Sequence, residues 1–160
     1  CYLAVLWIVS LVSPVSAQSG LYTPNAGVPE RVALMDAMRA AQGSRAQFLV
    51  KYLRVFKGSG APVAGAELSP SNPKNDVDAL SGGIVFYEQV NGSWTVRFIS
   101  GMDGADSCLE FSRAAEAVIR RLASVGAPKE VMPAAFWRDY LSAKNEARGS
   151  SNCGAFAAYF

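Results

Sequence analysis

From Ile84 to Ile99 the chain alternates along two β-rich runs, Ile84 to Val90 and Trp94 to Ile99, on either side of Asn91-Gly92. Asn-Gly is the dipeptide best suited to a tight hairpin turn, because both central residues need positive φ. In the first run Ile84, Phe86 and Glu88 point one way and Val85, Tyr87 and Gln89 the other. In the second, Trp94, Val96 and Phe98 alternate with Thr95, Arg97 and Ile99. An isolated hairpin is marginal in water, so its apolar face must rest on other elements.

The flanking pattern changes period. Pro29 to Gln42 reads as a helix with Pro at its first position and Gly43 as its stop; Val32, Met35, Met38 and Ala41, with Leu34 beside them, form one apolar stripe. Ordinary core packing is the first reading of this stripe, and a methionine-lined ligand groove the second. Ala46 to Lys57 fits two periods: Phe48, Leu49, Tyr52, Leu53 and Phe56 have helical spacing, but the run is rich in Phe, Val and Tyr and ends at Gly58-Ser59-Gly60. We assign it as a strand, followed by a weaker strand from Val63 to Leu68 and a polar, turn-forming loop from Ser69 to Gly83. Ser107 and Glu110 form a capping box that opens a helix from Cys108 to Val125, with Cys108, Phe111, Ala115, Val118, Ile119 and Leu122 on its buried stripe. A last helix spans Pro133 to Glu146, with Trp137, Tyr140 and Leu141 inward. The order predicts an α+β fold: an N-terminal helix, a four-stranded antiparallel meander and two C-terminal covering helices, all in one domain over residues 28–160.

The first 17 residues change the picture of where the protein works. Cys1 to Ala17 carries no charge, is apolar from Tyr2 to Val12, breaks at Pro14 and ends in Val15-Ser16-Ala17. This is the pattern of a secretory signal cleaved after Ala17, although the usual Met and basic start are not present ahead of it. The apolar run is too short for a stable membrane span, which takes about 20 residues. Residues 18–27 then form a flexible leader, and the mature protein is expected to be secreted or periplasmic. There Cys108 and Cys153 are an even pair in an oxidising space, and a disulfide between them is expected. The net charge of +2, from 15 basic and 13 acidic residues with the signs interspersed, argues against a nucleic-acid partner.

The segment Glu30 to Arg39, E-R-x-A-x-x-D-A-x-R, together with Gly92-Ser93-Trp94, resembles small exported bacterial proteins of unassigned function. The resemblance covers less than half of the chain. It implies a cystatin-like or NTF2-like sheet curled over a helix, and it carries no catalytic residue.

The sequence contains no histidine. That removes Ser-His-Asp and Cys-His catalysis and every His-ligated metal site, and two cysteines alone cannot hold a structural zinc. Gly60 and Gly65 have phosphate-loop spacing, but Ala66-Glu67 stand where Lys and Ser/Thr are needed. Carboxylates remain, Asp76 and Asp78 in the long loop and Asp103, Asp106 and Glu110 around the entry to the Cys108 helix. They could serve acid–base work or hold calcium, but the spacing matches no calcium loop, and Asp103 and Asp106 read as turn and cap residues. Asn91-Gly92-Ser93 is also a glycosylation sequon, but the turn explains those residues without a sugar. Neither cofactor nor metal is expected. A curled sheet can enclose an apolar pocket with few polar groups, and Asp36, Tyr52, Tyr87 and Trp94 are its candidate lining residues. The leading reading is a non-enzymatic domain that binds an extracytoplasmic protein or small molecule. The alternatives are an NTF2-like carrier or enzyme using a buried carboxylate such as Asp36, and an interaction subunit of an envelope assembly.

Overall fold

The structure, a computed structural model, describes residues 20–43, 45, 47–71, 83–100 and 108–146. The expected signal segment, the capping Ser107, Asp76, Asp78, Asp103, Asp106 and Cys153 lie outside the described residues.

The fold is α+β, with a five-stranded antiparallel sheet and three α-helices. Chain order gives β1 (Gly20–Tyr22), α1 (Pro29–Gln42), β2 (Phe48–Lys57), β3 (Val63–Pro70), β4 (Ile84–Val90), β5 (Ser93–Ile99), α2 (Cys108–Ser124) and α3 (Ala134–Glu146). A single 3-10 turn, Lys129–Val131, joins the last two helices. The strands pair in the order β1-β2-β3-β4-β5.

Local signals set several boundaries. Asn91 and Gly92 have φ of 51° and 81°, the left-handed pair that a two-residue hairpin turn demands. Helix α1 opens on Pro29 and closes on Gly43 at φ 62°, where no side chain obstructs the left-handed cap. The expected stripe of α1 is rotated: Leu34, Met35 and Met38 are buried, whereas Val32 and Ala41 face water. On α3, Phe136 and Ala143 are buried and the expected Trp137 and Tyr140 pack partly buried against the same core, whereas Leu141, also expected inward, is exposed.

Four strands were expected and five are found. Gly20–Tyr22, placed by the sequence in a flexible leader, pairs antiparallel with Lys57–Val55. Three residues are too few to display a period, so only tertiary pairing reveals this strand. The helices also divide between both faces. One core joins α1 to Leu53, Val55, Ala64, Ala66, Leu68, Val85, Tyr87 and Trp94, and the other joins α2, α3 and the 3-10 turn to Val63, Ile84, Phe86 and Phe98. The sheet is therefore covered on both sides rather than curled over one helix, which is why Ile84, Val85, Phe86 and Tyr87 are buried in succession.

Two bulges alter the alternation. In β5 the register passes from Phe86↔Phe98 to Tyr87↔Val96, leaving Arg97 as an extra residue. Trp94 and Val96 consequently pack on the α1 face and Phe98 on the opposite one, correcting the expected grouping of all three. In β2 the register passes from Val50↔Leu68 to Tyr52↔Glu67, with Lys51 extra. Phe48 and Val50 before the bulge thus share a face with Leu53 and Val55 after it. That change of parity is the source of the helix-like spacing in this run.

Close approach fixes the other layer. A Cβ on Gly65 of β3 would lie 2.3 Å from the Val131 carbonyl oxygen and 2.8 Å from Met132 Sδ, so only glycine lets the 3-10 turn sit on the strand. Two aromatic donors hold that turn. The Tyr52 hydroxyl donates to the Glu130 carbonyl, and Trp137 Nε1 donates to the Lys129 carbonyl at 3.1 Å.

Candidate functional site

Helix α1 lies across one face of the sheet and places Leu34, Met35 and Met38 against it. Its N-terminus is tied down by two strands at once. Tyr22 of β1 donates its hydroxyl to Glu30 Oε2 at 2.6 Å, and Lys57 Nζ at the end of β2 pairs with Glu30 Oε1 at 2.9 Å. The same ammonium lies 5.3 Å from the centre of the Tyr22 ring. Burial first, and then the Glu30 carboxylate, raise the Tyr22 phenol above its ordinary value; hydrogen bonding to Tyr22 and Glu30 raises Lys57.

Beneath α1 lies Tyr87, in the middle of β4. It is fully buried, and its hydroxyl has no hydrogen-bond partner among the described residues. Its cross-strand neighbours are Ala64 on β3 and Val96 on β5. Burial pushes the phenol far above its usual range, so Tyr87 stays a neutral hydrogen-bonding group throughout the physiological pH range. An unmatched hydroxyl in an apolar interior costs about 1–3 kcal/mol of desolvation. Nothing in the fold alone calls for that cost, since Phe would fill the same space. Trp94, on β5, belongs to the same cluster. The environment is thus a packed apolar cluster of methionine, alanine and indole side chains around one phenolic group.

The four candidate lining residues do not come together. Tyr87 and Trp94 share the α1 face. Tyr52 lies on the opposite face, where it secures the 3-10 turn; burial raises its phenol and nearby Arg54 counters part of that rise. The bulge at Lys51 is what separates it from the others, and the break in alternation between Val50 and Tyr52 is its sequence signal. Asp36 projects from α1 with its side chain 61% exposed and pairs with Arg39 at 2.6 Å. The carboxylate therefore lies in solvent on the helix surface rather than in a buried site. Met35 and Met38, read from sequence first as packing, are the residues that join Tyr87 and Trp94.

On the other face, Glu88 of β4 receives Arg97 Nε at 3.3 Å and also pairs with Arg121 of α2. Glu116 of α2 lies 3.7 Å from Lys144 and 3.4 Å from the Tyr140 hydroxyl, both on α3. These carboxylates serve inter-element contacts. Among the described residues no group of three or more Cys, Asp or Glu is placed to hold a metal ion, and no helix is long and apolar enough to cross a membrane. Cys108 is fully buried at the start of α2, its Sγ 3.3 Å from Glu146 Oε2 near the end of α3.

No protein-family model, no curated protein and no solved structure matches this chain.

Proposed function

We propose that the chain is an exported, secreted or periplasmic, non-enzymatic binding domain whose α1 face takes a small, mainly apolar ligand carrying one hydrogen-bonding group. The observation that supports this reading is the Tyr87 hydroxyl, buried and unpartnered between α1 and the sheet. A ligand polar atom would supply its missing partner. Met35 and Met38 are unbranched and adaptable, so they can repack around a guest. Catalysis by Asp36 draws no support from its exposed, Arg39-paired position.

The probes are p-cresol and toluene, which share a ring and differ by a hydroxyl. Saturable shifts of the Met35 and Met38 methyl resonances with p-cresol, and weaker ones with toluene, are expected. Tyr87→Phe should erase the difference between the two. Absence of shifts with both compounds, or equal affinities in the parent protein, overturns the reading.

Export adds its own proposal, the disulfide between Cys108 and Cys153. The chain from Glu146 to Cys153 is seven residues long and can extend about 23 Å, ample for a return to α2. Mass spectrometry of unreduced secreted material should find it lighter by two hydrogens, and free thiols at both positions would remove the proposal.

A further inference from the structure

Strand β2 is ten residues long, but β1 covers only its last three, Val55 to Lys57. The reason lies in the sequence after Tyr22. Thr23 still reaches the strand, its Oγ1 donating to the Leu53 carbonyl at 3.0 Å, but the buried Pro24 has no N–H and the chain turns away towards α1. Among the described residues, nothing pairs with the outer side of β2 from Phe48 to Val50.

The direction of the exposed backbone follows from two hydrogen bonds. Ser71 N donates to the Gln47 carbonyl at 2.9 Å, so Gln47 faces β3 and the peptide groups of Phe48 and Val50 face outward. The Leu53 carbonyl, bonded to Thr23, is outward as well. An open edge of this kind is a template for another strand. Leu49, 58% exposed, offers it an apolar contact.

Charge decides which strand fits. The run Phe48–Lys57 contains Lys51, Arg54 and Lys57 and no acidic residue. Lys57 is engaged by Glu30, whereas Lys51 and Arg54 are exposed and make no ion pair among the described residues. A second copy laid along this edge would set cation against cation, which is unfavourable for directly opposed residues. An acidic strand meets the opposite condition. We infer that the outer edge of β2 from Phe48 to Lys51, with the Arg54 cation beside it, docks an extended, acidic segment of another protein by strand addition. The bulged Lys51 excludes self-pairing and selects the partner.

The test uses a capped peptide of about nine residues, long enough for a typical strand, with Glu alternating with Val and Thr, and a control with Lys in place of Glu. The acidic peptide should slow amide exchange at Phe48 and Val50 and bind more weakly as salt rises. Lys51→Glu with Arg54→Glu, both surface changes, should weaken it at least tenfold while leaving the amide spectrum otherwise intact. Four results overturn the inference: equal binding of the lysine peptide, no binding of either, protection at β5 instead of β2, or a dimer in sedimentation without peptide. None of them depends on Tyr87 or p-cresol.

Discussion

The two faces of the sheet are built from different materials. The α2–α3 face is aromatic and interlocked: the Phe98 ring meets Phe111 and Phe136 edge-on at 5.8 and 5.9 Å, and Phe136 meets Trp137 at 5.1 Å. Its turn rests on Gly65 and is held by Tyr52 and Trp137. The α1 face has one helix, flexible methionines, Ala64 and Ala66, and an unmatched phenol. Edge-to-face rings have few alternative arrangements, whereas methionine has many. The difference separates a tightly interlocked face from one with more side-chain freedom, on which the proposed ligand site lies.

Cavity formation gives the sharpest comparison. Phe136→Ala should cost about 3–5 kcal/mol, and Met38→Ala about 2 kcal/mol, because the softer face collapses more readily around the missing atoms. Equal losses in urea denaturation break the distinction between the faces. Gly65→Ala should cost about 1–3 kcal/mol by overpacking and displace the 3-10 turn. Altered amide shifts at Lys129 to Val131, with α1 unchanged, are the expected signature.

Tyr87→Phe should move stability the other way, raising it by about 1–3 kcal/mol, since an unmatched buried hydroxyl is removed. A pH series adds a second readout. The folded phenol titrates above its unfolded value, so its stabilising contribution is complete below about pH 10 and declines as the pH climbs beyond it. The parent should therefore lose more stability than Tyr87→Phe above about pH 10; parallel curves contradict the buried neutral phenol. The smallest effect is Glu30→Gln at the α1 clasp, below about 1 kcal/mol for a partly exposed pair, reduced further by salt. It should speed amide exchange in α1 before any other helix.

Local chemistry made most boundaries readable. Asn91-Gly92 fixed the hairpin, Pro29 and Gly43 fixed α1, and the apolar stripe of α2 reappears with Ser112 added and Ile119 at its margin. What stayed hidden depends on distant partners. β1 exists only through its pairing with β2, and the bulges at Lys51 and Arg97 are decided by the neighbouring strands. The candidate site divides in the same way. Tyr87 and Trp94 could be grouped from the hairpin, whereas Tyr52 needed the parity change in β2 to be placed on the other side. Asp36 sits where its i, i+3 spacing from Arg39 allows a surface pair.

The extra residue at position 51 also bears on descent. Removing Lys51 would join its two flanking registers into one regular ladder, with Val50 still opposite Leu68, Tyr52 still opposite Glu67, and no residue turned to the other face. Lineages derived from this chain can therefore lose the residue at position 51 while keeping the apolar pattern on both sides of it unchanged.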